Sequence, residues 1–478
     1  MFIRRKRTTP LTATLTLVAG LIGLTAAVPA QAAPAPDILD QLRAVPGLTV
    51  VSEQPAPAGF RFFMLTFRQP ADHLNPQAGT FEQRLQLLHR GTDRPMVLHT
   101  TGYNMPEFQF RSEPTRILDA NQISTEQRFF LPSRPAPADW SKLTIWQAAT
   151  DHHKIINALK GIYDGKWIST GASKGGMTSV YHRRFYPGDL AGVAAYVAPN
   201  DVVNRSDAAY DRFFQTVGTD SACRTALNEF QRAAFNHRTD LLNRYEAFAT
   251  ANGMTFNQVF GSADQALEIA VLDTRWAFWQ FFLQSDCAAV PPATATSDQL
   301  YDFVDNVAGW ASYTDQGILP FEPYFYQAAT QLGWPELNLR YIRDLLRFPR
   351  SYNEANTSLP ADLRSAHDAW PMIDIDHWVG KDSSQMLFVY GANDPWGSEP
   401  FHPSSHDSYS YTAPGFNHGA NISRLNPADA AAATATLKRW AGVATAAAAT
   451  TLSTAEATFI PELDSHNPDL DRRPALVG

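Results

Sequence analysis

Only two cysteines occur in 478 residues, Cys223 and Cys287, so the chain can form one disulfide at most. Positive charge is also short: 39 Lys and Arg stand against 47 Asp and Glu, a net charge of −8. Four of the cations, Arg4-Arg5-Lys6-Arg7, cluster ahead of an apolar stretch from about Leu11 to Val28. No later segment is long and apolar enough to span a bilayer. That first stretch is interrupted by threonines and glycines, and it runs into Ala30-Gln31-Ala32, a small-residue cleavage pattern. Residues 1–32 therefore read as a secretory signal peptide rather than a membrane anchor. Because they hold four basic and no acidic side chains, their removal takes the net charge to −12. Such a balance argues against binding nucleic acid or an anionic membrane through bulk electrostatics. The expected mature protein is soluble, extracellular and monomeric. In an oxidising compartment Cys223 and Cys287 pair by default, and closing so long a loop contributes about 4 kcal/mol in the chain-entropy model. Two free buried thiols are the alternative. No internal repeat is evident.

What is present is an alternation of strand and helix patterns. Phe60–Phe67 and Thr80–Leu88 read as strands joined by a turn-rich connection, the opening antiparallel hairpin. Short strands are predicted at Met96–Thr100, Gln127–Leu131, Lys166–Thr170 and Gly192–Val197, with a helix over Trp146–Leu159. That order predicts a mostly parallel sheet covered on both faces. From about Asp201 to Trp378 helical periodicity replaces it, and Leu267–Leu283 reads as a long helix carrying Trp276, Phe278, Trp279, Phe281 and Phe282. Strand patterns return at Met386–Tyr390 and Tyr409–Thr412, followed by a helix over Pro427–Trp440 with Asn426 as its N-cap. The expected organisation is a signal peptide (1–32), the first part of an α/β domain (33–200), a helical cap insertion (201–378), the second part (379–443) and a C-terminal extension (444–478).

"WISTGASKGG", residues 167–176, carries an apolar strand into glycines around Ser173 and then into a helix. Such a turn presents one hydroxyl at the top of a sheet, as in a nucleophile elbow. A serine needs a base, and the base an orienting carboxylate. In the α/β-hydrolase order these follow as acid and then histidine, each after a strand. Asp394, in "GANDPWG", and His418, in "GFNHG", stand in those places. Each has a plainer reading: Asp394 can cap a turn before Pro395, and twelve other histidines compete with His418. His402 and His406 form an H-x-x-x-H pair, but at the wrong end of the last strand and without a third ligand, so no metal and no cofactor are expected. Asp151-His152-His153 reads as a solvated helix face. The oxyanion donors are expected from the backbone of Lys174 and from Gly102 or Tyr103, with the Lys174 side chain facing solvent.

The stretches "QPADHLNPQAGTFEQR", "EQRFFLPSRP", "GASKGG", "YQAATQLG" and "GANDPWG" span most of the mature chain. On them the sequence resembles the secreted actinobacterial prolyl tri/tetrapeptidyl aminopeptidases. It is similar more distantly to the lysosomal prolyl carboxypeptidase and dipeptidyl peptidase group. That group usually has an aromatic residue where this chain has Lys174, and several disulfides where this chain can form one. The resemblance implies an α/β-hydrolase fold with a helical cap inserted before the acid-bearing strand. It also implies a Ser-Asp-His peptidase that releases tri- or tetrapeptides by cleaving after proline near a free N-terminus. An aminopeptidase must bind an α-ammonium group, for which Glu322 in "PFEPYFYQ" and Asp315 are the cap carboxylates considered. Aromatic cap residues can line a proline pocket, or simply form the cap's own core. A secreted lipase or carboxylesterase with the same triad, and a non-catalytic binding protein on the same scaffold, are the competing functions.

Overall fold

The computed structural model describes residues 36–202, 207–443 and 458–466. The expected signal peptide and most of the C-terminal extension lie outside the described residues. One nine-stranded sheet organises the molecule: β1 (Leu48–Gln54), β2 (Arg61–Pro70), β3 (Thr80–His89), β4 (Met96–Thr100), β5 (Asn121–Thr125), β6 (Trp167–Ala172), β7 (Gly192–Tyr196), β8 (Met386–Gly391) and β9 (Tyr409–Ala413). Their order is β1-β2-β3-β5-β4-β6-β7-β8-β9. The β1-β2-β3-β5 pairings are antiparallel, and every pairing from β5 through β9 is parallel. This is an α/β-hydrolase fold. The parallel strands β4, β7 and β8 are buried along their whole length, and β6 in all but its last residue, since helices cover both faces; the edge strand β9 is mostly exposed. Ile145–Leu159 and Lys174–Phe185 pack on one face, where Ile155, Ile156, Val180 and Tyr181 meet Phe388 and Met386. Pro427–Trp440 covers the other, placing Leu437 and Trp440 against Ala194 and Leu387. Asn426 caps that helix by accepting from the amide of Asp429.

The strand expected at Gln127–Leu131 lies instead at Asn121–Thr125. Its sequence, NQIST, has one aliphatic residue and yet is buried throughout. Neighbours satisfy its polar side chains: Asn121 Nδ2 donates to Gly91 O at 2.8 Å, and Thr125 Oγ1 bonds His152 Nε2 at 3.0 Å. No apolar pattern marks such a strand. The residues that follow it form a polar knot. Arg128 makes two 2.7 Å contacts with Asp151, which also takes 2.7 Å from His73 Nε2. Asp151-His152-His153 is therefore not a solvated face, because Asp151 and His152 are each 1% exposed. Glu126 accepts from Arg84, Ser133 Oγ and the amide of Met105. The stretches around residues 69–84 and 126–135 thus fold into one network that fixes the loop after β4.

Between β7 and β8 the described residues contain helices and no strand. They have their own core, built around Ala263–Phe281, in which Leu267, Ala270, Val271, Phe278 and Trp279 are buried against Phe230, Leu300 and Val304. No helix among the described residues is long and apolar enough to cross a membrane. Cys223 and Cys287 are joined inside this layer, with Cα atoms 5.5 Å apart across 64 residues of sequence. A crosslink of that span removes about 4 kcal/mol of denatured-state freedom. Reduction is expected to lower the thermal midpoint by several degrees while the still-folded enzyme keeps its turnover, since neither sulfur lines the cavity at Ser173. Two alkylatable thiols in the native protein would remove this crosslink. The C-terminal segment returns to the sheet: Leu463 is buried with Phe62 and Leu88, and Arg111 pairs with Asp464.

Candidate active site

β6 ends at Ala172 and a helix starts at Lys174, leaving Ser173 alone at the corner. Ser173 has φ 55° and ψ −128°, a region that non-glycine residues seldom occupy and that marks a strained turn. Its flanking glycines let the corner press against β4. A Cβ on Gly171 would stand 2.4 Å from Thr100 O, and one on Gly175 2.3 Å from the same atom. Any larger residue at either position would drive β6 and β4 apart. The hydroxyl is thereby held above the carboxyl ends of the parallel strands.

β8 runs into the turn that begins at Asp394, which is 1% exposed. Its Oδ1 accepts from the amide of Trp396 at 3.0 Å, and its Oδ2 lies 2.7 Å from His418 Nδ1. Capping the turn and orienting a histidine are thus done by the same carboxylate, one oxygen each. A carboxylate only accepts, so Nδ1 carries the proton and Nε2 keeps its lone pair. Nε2 is buried and has no hydrogen-bond partner among the described residues. The two loops are laced together: Asn393 N donates to Phe416 O at 2.8 Å. The helical layer holds them as well, with His418 N donating to Gln280 O at 3.2 Å and Trp396 Nε1 to Gln280 Oε1 at 2.9 Å. His402 and His406 are exposed on the loop at the amino end of β9.

The family model described as PS-10 peptidase S37 matches residues 31–478. A prolyl tri/tetrapeptidyl aminopeptidase of Streptomyces mobaraensis is 53% identical over 417 residues, covering 86% of each chain. The chain belongs to peptidase family S37. It is a serine peptidase. Among solved structures, a proline iminopeptidase of Mycobacterium smegmatis is 14% identical over 79% of this chain and 98% of its own, with a TM-score of 0.35. Epoxide hydrolase A of Mycobacterium thermoresistibile is 15% identical over 73% and 94%, with a TM-score of 0.34. Both superpose too loosely for anything about this S37 peptidase to follow from them.

In this S37 peptidase the Lys174 side chain turns inward, contrary to the solvent-facing position expected from sequence. It is 1% exposed, its Nζ donates to Gly102 O at 2.6 Å, and it lies 5.7 Å and 5.8 Å from the ring centres of Tyr103 and Phe130. Burial lowers its pKa to about 7. The Lys174 side chain thereby ties the Ser173 turn to the loop after β4. Gly102 is required there: its φ is +73°, and a Cβ would come within 2.5 Å of Gly175 N. Of the expected oxyanion donors, the Tyr103 amide is engaged with Thr101 Oγ1 at 3.2 Å. It is the Tyr103 hydroxyl that reaches the site, 3.5 Å from Ser173 Oγ. Burial raises the phenol's pKa, so it stays protonated and able to donate.

Ser173 opens into a cavity of about 310 Å³. Rings form a chain along its wall: Tyr103 to Tyr324 at 5.6 Å, Tyr324 to Trp334 at 6.3 Å, Trp334 to Trp396 at 6.1 Å and Trp396 to Trp276 at 4.7 Å. The aromatics of the helical layer therefore divide between its own core and this wall. Glu322, the carboxylate considered for the substrate ammonium, does not line the cavity and is paired with Arg134 at 2.7 Å. Asp315 is buried elsewhere, accepting from Val259 N at 3.0 Å and Thr255 Oγ1 at 2.7 Å. The carboxylates that do line it are Asp273, Asp305 and Glu354. Asp273 is held by Tyr313 Oη at 2.6 Å and Tyr352 Oη at 3.0 Å, and burial raises its pKa. A lone aspartate inside a helix has no sequence signature, which is why it was not among the expected residues.

Proposed function

We propose that this S37 peptidase is a secreted exopeptidase that releases tri- or tetrapeptides from free peptide N-termini, with proline preferred on the acyl side. Secretion rests on the basic, apolar and Ala-x-Ala pattern of residues 1–32. In the proposed chemistry Ser173 Oγ attacks the scissile carbonyl as His418 Nε2 takes its proton, and Asp394 stabilises the imidazolium that forms. The carbonyl oxygen, now charged, accepts from the Lys174 amide and the Tyr103 hydroxyl. His418 then protonates the leaving amine, and water hydrolyses the acyl-enzyme by the same steps in reverse order. The aromatic wall suits a flat apolar ring such as proline. The Streptomyces mobaraensis relative carries in its name the specificity proposed for this chain.

One observation carries the exopeptidase reading: a carboxylate, Asp273, sits in the same cavity as Ser173, with no cation paired to it among the described residues and two phenols donating to it. A substrate ammonium completes that charge. Such a charge-assisted contact is worth a few kcal/mol, and 1.4 kcal/mol is tenfold. Acetylating the N-terminus of a Pro-ending tripeptide anilide is therefore expected to lower kcat/KM by at least about a hundredfold. Asp273→Asn is expected to erase most of that difference by raising KM for the free peptide, whereas Glu322→Gln leaves it intact. A nitrophenyl ester of a fatty acid is expected to be the poorer substrate. Equal cleavage of free and blocked peptides would make the enzyme a proline-directed oligopeptidase, and preference for the ester would make it an esterase.

A further inference from the structure

Three carboxylates converge beside the catalytic loops in a place that the proposed chemistry does not use. Asp201 follows β7, Asp207 immediately precedes the helix Ala208–Thr216, and Glu399 closes the turn that starts at Asp394. One carboxylate oxygen from each lies within 4.8 Å of the others. Asp201 is 3% exposed and Asp207 6%, while Glu399 is half-buried. The second observation is independent of the clustering. Both oxygens of Asp201 are enclosed and have no hydrogen-bond partner among the described residues. The buried hydroxyl of Tyr210, which faces the Asp201 charge, has none either.

The surroundings add little positive charge. Asp207 accepts from the amide of Glu336, Arg212 acts on Glu399 from outside the group, and Asp376 contributes a further negative charge. Burial, followed by the charges of Asp207 and Glu399, pushes Asp201 up to about 8. Enclosed carboxylates normally have an arginine, a backbone amide or a metal against each oxygen, because an unpaired buried charge is costly. Two buried carboxylates elsewhere in the protein show such pairing: Asp151 is met by Arg128 and His73, and Glu268 by Arg238 and two amides.

We propose that Asp201, Asp207 and Glu399 bind a hard divalent cation of the calcium class, tying the end of β7 and the start of the helical layer to the turn that bears Asp394. The donors are all oxygen, which selects against zinc and copper. Calcium takes oxygens at about 2.3–2.6 Å, so two on opposite sides stand about 5 Å apart, whereas magnesium demands a tighter octahedron at about 2.0–2.1 Å. The ligands come from two stretches of chain far apart in sequence, residues 201–207 and the turn that ends at Glu399, so a bound ion crosslinks them. The site also adjoins the cavity wall: a Cβ on Gly333, next to Trp334, would stand 2.4 Å from Asp201 O. The inference does not depend on which peptide bond the enzyme cleaves.

The test uses the full secreted chain, first for bound metal and then, after EDTA treatment, in calorimetric titration and thermal unfolding with CaCl2, MgCl2 and NaCl at matched ionic strength. The expected result is one calcium per chain, with a thermal midpoint that rises as calcium saturates and responds less to magnesium. Asp201→Asn and Glu399→Gln are each expected to lose the calcium-dependent shift while retaining a cooperative transition. No calcium binding and no calcium-dependent midpoint in the wild-type chain would overturn the proposal, whatever the variants do. It would equally be overturned if calcium had no effect and Asp201→Asn raised KM for the free-amine tripeptide alone, since the cluster would then serve the substrate ammonium.

Discussion

Ser173→Ala is expected to lower kcat for a Pro-ending tripeptide anilide by about a millionfold, the scale of loss when a triad nucleophile is removed. The protein itself should barely change. The Ser173 hydroxyl makes one long contact, 3.5 Å to the Tyr103 hydroxyl, so its deletion leaves no short hydrogen bond broken. Alanine has the same Cβ as serine and meets the same backbone strain at φ 55°, which β6 and the helix after it already impose. Circular dichroism and the thermal midpoint should therefore match wild type, and substrate should still bind because the aromatic wall and Asp273 are intact. Ser173→Gly offers a contrast: it removes the nucleophile too, but glycine accepts positive φ, so it should be at least as stable as Ser173→Ala. Turnover within tenfold of wild type in either variant would take Ser173 out of the nucleophile's role.

How much of this was legible in the sequence depended on whether the signal was local. The Ser173 turn, the Asp394 loop and the His418 loop each carry glycine or proline, and they follow β6, β8 and β9. The long helix at Ala263–Phe281 and the capped helix at Pro427–Trp440 were legible for the same reason. Elements whose burial is polar were not. β5 is read wrongly because Asn121, Gln122, Ser124 and Thr125 are satisfied by partners distant in sequence. β1 was missed because it is an edge strand with few buried positions. The family stretches at 69–84 and 126–135 are structural: Arg128 binds Asp151, and Glu126 binds Arg84, Ser133 and the Met105 amide, fixing the loop that carries Tyr103. Charges gave the weakest guidance of all. Lys174 and Glu322 were both placed by the rule that lone charges face solvent or substrate, and each is instead held by a protein partner, Gly102 O or Arg134. Asp273 and the Asp201–Asp207–Glu399 group depend on long-range folding alone, so no spacing in the sequence could mark them.

Asp394→Asn is expected to cost about 10⁴-fold in kcat, the loss that follows when a triad histidine is held in the wrong tautomer. The geometry here says why the amide cannot adapt. Asp394 Oδ1 accepts from the Trp396 amide, and only an oxygen can fill that position. The asparagine oxygen is therefore pinned to the turn, which leaves its Nδ2 facing His418 Nδ1. Two donors cannot share that contact, so Nδ1 must give up its proton to Nε2. A protonated Nε2 cannot accept from Ser173. Asp394→Ala would also uncap the turn, at about 1 kcal/mol of stability, and would confuse the two effects. Asparagine keeps the cap and isolates the tautomer. His418→Ala should be as severe as Asp394→Asn, whereas His402→Ala and His406→Ala should be silent, because both side chains are exposed at the opposite end of β9. If His402→Ala or His406→Ala proved inactivating while His418→Ala retained activity, the base would have to be sought at that other end of the strand. The 2.7 Å contact between Asp394 and His418 would then be structural.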